Sequence, residues 1–170
     1  MAAGVYNERV NVTKSLFLRG AKYGIDARTR DTSSGESVLD GTGLGSPYDA
    51  FKIAGGLSNV TIDGFLIRNY SGSGSNGDGN GISSYRMSTS DTFPTNHVFI
   101  KNNFISNVAY NGIMIGSENK MSTSMVKQRY WVIQYNKIVG FTYAGIELTN
   151  VDSSEVLDNT IVAPTSLFVD

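Results

Sequence analysis

Two spacings recur together in this chain and leave few folds open to it. The first runs apolar residue, two others, Asn, one other, Ile. It reads Ile100-Lys-Asn-Asn103-Phe-Ile105, then Ile133-Gln-Tyr-Asn136-Lys-Ile138, then Val156-Leu-Asp-Asn159-Thr-Ile161. An earlier copy, Ile62-Asp-Gly-Phe65-Leu-Ile67, carries Phe in the Asn slot. The second spacing follows at a fixed distance. Ile105 stands seven residues before Gly112-Ile-Met-Ile115, and Ile138 stands seven before Gly145-Ile-Glu-Leu148. An upstream version, Gly81-Ile-Ser-Ser-Tyr85, comes after a longer Gly/Ser/Asn stretch.

Each repeat therefore holds short strands separated by turns. The most compact, Ile133 to Val156, spans 23 residues, and longer ones carry insertions. Apolar residues alternate at Val60/Ile62, Val98/Ile100, Ile113/Ile115 and Ile146/Leu148, which marks strands with one face inside. No segment shows a capped 3.6-residue period. Glycine is abundant, 19 against 3 Pro, as a chain of many turns requires.

Strands that return every 20 to 35 residues without helices fit a solenoid, with equivalent strands stacked in parallel sheets. At roughly 4.8 Å per coil, about six coils make a rod about 30 Å long. Ile62, Ile100, Ile133 and Val156 should then form one buried stack, and Ile82, Ile113 and Ile146 another. Asn103, Asn136 and Asn159 should form an asparagine ladder, because amides at one turn position can bond the copies above and below. The predicted fold is all-β, one parallel β-helix domain over 1–170.

These residues resemble the right-handed parallel β-helix of the pectin-lyase-like superfamily, in its bacterial branch of carbohydrate-binding and sugar-hydrolase repeats. Three segments carry the likeness: Gly4 to Gly20, Gly24 to Arg30 running on to Glu36–Gly41, and Asn59 to Asn69. Members usually open with a capping helix, whereas this chain starts almost on the Gly-Val-Tyr segment, and Pro164 to Asp170 shows no evident cap. The resemblance thus implies part of a longer β-helix, or end coils that pair with a partner or with each other, since an uncovered end presents unpaired backbone groups.

Composition narrows the function. With 14 basic and 15 acidic residues the net charge is −1, and 17% of residues are charged, so no basic surface is available for nucleic acid. There is no Cys, hence no disulfide framework or thiolate site. No apolar run is long enough to span a membrane as a helix, and the first residues do not read as a signal peptide. The resemblance implies a polysaccharide partner and an extracellular or cell-surface, bacterial, secreted setting.

The resemblance also implies two chemistries. Its lyases use a basic residue on an exposed sheet, often with Ca²⁺; its hydrolases use clustered carboxylates. Outward rows here read Thr61, Phe99, Val132, Glu155; then Asp63, Lys101, Gln134; then Ser83, Met114, Glu147. None stacks two carboxylates. Lys101, Asp63 and Arg86 are the weak catalytic candidates, with Lys101 beside Asp63 reading first as a cross-strand ion pair and only second as a lyase base. His97 is the only histidine and reads as a turn residue. Asn76, Asp78 and Asn80 have the alternate spacing of a calcium loop but supply one carboxylate. Two insertions share Met-Ser-Thr-Ser, at 87–90 and 121–124. Beside them, Tyr85, Arg86, Asp91, Lys120, Arg129, Tyr130 and Trp131 could make a sugar platform of rings and charged groups. Asp26, Arg28 and Arg30 read as a structural charged turn. The first expectation is a non-catalytic module that binds polysaccharide or serves as a structural element. The alternatives are a polysaccharide lyase or glycoside hydrolase, whole or fragment, and a self-assembling β-helix protein.

Overall fold

A computed structural model describes residues 1–45, 48–72, 78–86, 94–117 and 127–164. Every described element is a strand, and the strands form three parallel sheets consistent with a parallel β-helix. The first sheet has six strands, in the order β1 (Gly4–Tyr6), β4 (Ser37–Asp40), β7 (Phe65–Arg68), β10 (Phe104–Ser106), β14 (Lys137–Val139) and β18 (Thr160–Val162). The second has β2 (Val10–Val12), β5 (Phe51–Ile53), β8 (Ile82–Arg86), β11 (Asn111–Ser117) and β15 (Ala144–Leu148). The third contains β3 (Phe17–Arg19), β6 (Ser58–Asp63), β9 (Asn96–Lys101), β12 (Gln128–Arg129), β13 (Val132–Gln134), β16 (Val151–Asp152) and β17 (Glu155–Leu157). The chain visits the three sheets in turn, so each circuit adds one level.

The registers follow the sequence repeat. Ile62, Ile100, Ile133 and Val156 are cross-strand partners in the third sheet. Ile82, Ile113 and Ile146 are partners in the second. Ile62, Ile100 and Ile133 are fully buried, and burying each such side chain is worth about 1.5–3 kcal/mol. Val156 is 44% exposed because no described strand lies beyond it. Of the outward row, Glu147 stays partly open, but Ser83 and Met114 are buried, contrary to the alternation reading.

The repeated glycine before Ile is a matter of space. A Cβ on Gly112 would stand 2.4 Å from Ile138 Cγ2 and 2.5 Å from the Gly145 carbonyl oxygen. The corners are turned by left-handed residues at equivalent positions: Gly64, Asn102, Tyr135 and Asp158 at one, and Asn59, His97, Tyr130 and Ser153 at another. Asn supplies two of these eight, Asn59 and Asn102, because it tolerates that conformation.

Two side-chain ladders tie the levels together. In the first, Asn136 Oδ1 accepts from the Asn103 backbone N–H at 2.9 Å, and Asn159 Oδ1 accepts from that of Asn136 at 3.0 Å. Phe65, in the Asn slot one level earlier, joins as a donor only, giving its N–H to Asn103 Oδ1 at 3.1 Å. The second ladder runs the other way. Asp49 Oδ1 accepts from Asn80 N at 2.8 Å, Asn80 Oδ1 from Asn111 N at 3.1 Å, and Asn111 Oδ1 from Ala144 N at 3.1 Å.

The segment between β3 and β4 is a strap that climbs the corner of the third and first sheets. Gly24 N–H donates to Asp63 Oδ1, Arg30 donates to the carbonyls of Phe65 and Asn102, and Ala27 N–H donates to the Tyr135 carbonyl. Arg28 pairs with Asp26 at 2.7 Å and reaches Asp158 at 3.8 Å. The charged turn makes structural contacts, as expected from similar turns in β-helices, but it reaches well beyond the next level.

Asp40, nearly buried at the end of β4, adds a pH-sensitive tie. Burial pushes its carboxyl up, but bonds from Thr42, Asn69 and Arg68 outweigh that and hold it well below the usual carboxylate range. A depressed folded pKa stabilises above the unfolded value of about 3.9 and the gain is lost as pH falls below it. Urea unfolding at pH 7 and at about pH 1 should show Asp40→Asn losing about 2 kcal/mol at pH 7 and much less at the acid end, because the gain fades only as pH falls from the unfolded value through the folded one. An equal loss at both pH values would contradict this role.

Candidate functional site

The corner between the first and second sheets leaves a surface groove of about 610 Å³. Its origin is the repeat itself. Asp40, Arg68, Ser106, Val139 and Val162 are successive partners in the first sheet. Two residues further on come Thr42, Tyr70, Val108, Phe141 and Pro164, and all five line the groove. It therefore runs across five consecutive levels, four steps of roughly 4.8 Å, or about 19 Å.

One wall carries Asn69 and Asn107, with Asn107 Nδ2 donating to Asn69 Oδ1 at 2.8 Å. The other carries Ser71, Ala109 and the exposed Thr142. Backbone bonds between levels fix the shape: Asn107 N–H to the Val139 carbonyl, Val108 N–H to that of Gly140, and Ala109 N–H to that of Tyr70. Tyr70, Val108 and Phe141 are nearly buried. The described lining includes no Asp, Glu, Lys, Arg or His.

An aromatic pair stands at the next chain positions. The rings of Tyr110 and Tyr143 stack at 4.8 Å and 17°, and Tyr143 is 56% exposed. Thr142 and Tyr143 both donate their backbone N–H groups to the Tyr110 carbonyl, which fixes the pair beside the groove wall. Burial, then Tyr143 and Glu147, push the Tyr110 hydroxyl up, so it remains a neutral donor.

A second recess, of about 320 Å³, lies beside β5 and is lined by Arg9, Asn11, Tyr48, Asp49, Lys52 and Asp78. Arg9 sits 3.7 Å over the Tyr48 ring. Asp49 is occupied: Oδ1 accepts from Gly79 N, Asn80 N and Asn80 Nδ2, and Oδ2 accepts from Ser83 Oγ at 2.6 Å. Burial pushes the Asp78 carboxyl up, Asp49 adds to this, and Lys52 draws it back.

The residues expected from sequence are dispersed. Asp63 and Lys101 are cross-strand partners, but the expected ion pair is not among those formed by the described residues. Asp63 Oδ1 is taken by Gly24 N–H and Asn102 Nδ2, and the Lys101 ammonium lies 5.2 Å from the Phe99 ring centre. Arg86 ends β8 in the second sheet, whereas Asp63 and Lys101 end strands of the third. Tyr85 and Arg86 pair with Gly116 and Ser117 through their backbones, and their side chains lie outside the described set. Asp91, Lys120 and Asn76 also lie outside the described residues.

Arg129 and Tyr130 do come together on the surface, Arg129 3.8 Å from Asp152 and Tyr130 stacked on His97 at 4.7 Å. Trp131 offers no ring to a ligand: it is 1% exposed, with its indole N–H given to the Thr95 carbonyl at 3.0 Å. Asn80, expected as a calcium ligand, is buried as a ladder member. Among the described residues, no three Asp, Glu or His side chains gather in a way that could hold a metal. No described helix is long and apolar enough to cross a membrane. No family model matches the chain, and no curated protein or solved structure matches it.

Proposed function

We propose that the chain is one right-handed β-helix domain of about six coils, of pectin-lyase-like type, acting as a non-catalytic extracellular or cell-surface module that binds polysaccharide. The handedness follows the rule that parallel crossovers are right-handed in about 98% of cases. The observation that carries the function is the groove that crosses five levels with the exposed Tyr143 beside its wall. Clefts rich in hydroxyl and amide groups suit sugar hydroxyls, and an exposed ring suits the apolar face of a sugar. On a glycan array the wild type should bind, and Tyr143→Ala should weaken binding at least tenfold, a loss of about 1.4 kcal/mol. An array silent for the wild type, or equal binding by the variant, would sink this reading.

The recess beside β5 favours a second reading, a polysaccharide lyase or glycoside hydrolase. Asp78, its carboxyl pushed up by burial and Asp49, would be the acid candidate there, with Lys52 and Arg9 beside it to meet negative charge. Release of new chain ends from a polymer should then be lost in Asp78→Asn. Turnover that survives this change, or no turnover on any polymer, counts against an enzyme.

A further inference from the structure

We infer that the ligand of the groove is an uncharged polysaccharide lying along the stack axis, with successive sugars meeting successive levels; this deepens the carbohydrate-binding reading and rests on it. Two observations carry it.

The first is chemical. Among the described residues, the groove presents Thr42, Asn69, Ser71, Asn107 and Thr142 as neutral polar side chains, beside Tyr70, whose hydroxyl is given to the Glu8 carbonyl. The nearby carboxylate of Asp40 is turned to Thr42 N, Asn69 Nδ2 and Arg68 Nε, so its charge is already answered. Hydroxyls and amides both donate and accept, as sugar hydroxyls do. A polymer with a carboxylate on each sugar would find no cation in this lining to offset the cost of desolvating its charges. The cation beside the groove, Arg68, is committed to Asp40 at 2.7 Å, and Arg9 and Lys52 line the other recess.

The second is geometric. The groove repeats with the strands, at roughly 4.8 Å per level. A pyranose in an extended chain advances by a similar distance, so a polymer along the axis keeps register from Asn69 to Asn107 to Gly140. One laid across the axis would cross the walls and leave the groove after one or two sugars. Tyr143 then stacks on a sugar face from the side, at the level of Phe141 and Thr142.

The test is affinity electrophoresis in native gels holding hydroxyethylcellulose, mixed-linkage β-glucan or galactomannan as neutral polymers, and polygalacturonate or alginate as acidic ones. The wild type is run beside Tyr143→Ala and Thr142→Arg, both changes at exposed positions, with cooperative unfolding checked for each. The expected result is retardation by at least one neutral polymer, unchanged in high salt and reduced at least tenfold in both variants. Retardation by the acidic polymers that equals or exceeds that by the neutral ones overturns the inference while leaving the carbohydrate reading in place. Neutral retardation that both folded variants retain also overturns it. No retardation in any gel defeats the carbohydrate reading itself.

Discussion

Asn136→Ala is expected to destabilise the protein by about 3–5 kcal/mol, because one amide makes four hydrogen bonds to three neighbours in the dry interior. Its Oδ1 accepts from Asn103 N and Asn103 Nδ2, and its Nδ2 donates to the Ile100 carbonyl at 2.9 Å and to Asn159 Oδ1 at 2.9 Å. The residue is fully buried, so water cannot replace these partners. Each buried group left unpaired costs about 1–3 kcal/mol, and alanine strands at least two of them while opening a void. Asn136→Asp should be no better, since a carboxylate keeps the acceptor but loses the donor. By contrast Asn159→Ala, at the last described rung, should cost less, because Asn159 is only partly buried. Chemical denaturation of the three variants checks this order. A loss below about 1 kcal/mol at Asn136 would mean that the ladder is not what ties the levels together.

Arg30→Ala should cost a comparable amount, for an electrostatic reason. Arg30 and Glu36 meet at 2.9 Å with side chains only 3% exposed each. Burial draws the guanidinium down from its ordinary value and pushes the Glu36 carboxyl up, each opposed by the other's charge. The contact is close but not aligned as a hydrogen bond, and neither Glu36 oxygen has a hydrogen-bond donor among the described residues. Arg30 is therefore the charge that makes buried Glu36 tolerable, and it also binds the carbonyls of Asn102 and Phe65. Removing one partner of a buried pair costs about 3–5 kcal/mol, whereas exchanging both for apolar residues is often neutral. Arg30→Met combined with Glu36→Leu should accordingly recover much of what Arg30→Ala loses. A double variant as unstable as the single would show that the carbonyl bonds, not the charge pair, set the cost.

The strand interiors were legible in the sequence because stacking repeats them. Ile62, Ile100 and Ile133 report a period, and the Asn103–Asn136–Asn159 ladder follows from the same offset. The second ladder was less visible, since its members are Asp49, Asn80 and Asn111, a carboxylate followed by two amides. Reading Asn80 as a metal ligand took one ladder residue out of its column. Trp131 was misread for a related reason. It shares the parity of Ile133 two residues on, which turns it inward, but its place beside an insertion suggested an exposed platform. The groove was missed because its residues sit at corners, where no two-residue alternation exists to signal a face. A cue was present: Tyr110 and Tyr143 each stand two residues before the glycine of the Gly-Ile strand. The strap was legible only as a structural charged turn, and not its reach, because Arg30's partners lie 35 and 72 residues away in sequence.

The central claim is that a neutral glycan lies in the groove rather than in the charged recess or on the His97–Tyr130 surface. Hydrogen–deuterium exchange with and without soluble mixed-linkage β-glucan oligosaccharides tests it most directly. Slowed exchange confined to 69–71, 107–110 and 140–143 is the expected result. Protection centred on 9–11, 48–52 and 78, or on 96–97 and 129–130, would contradict it.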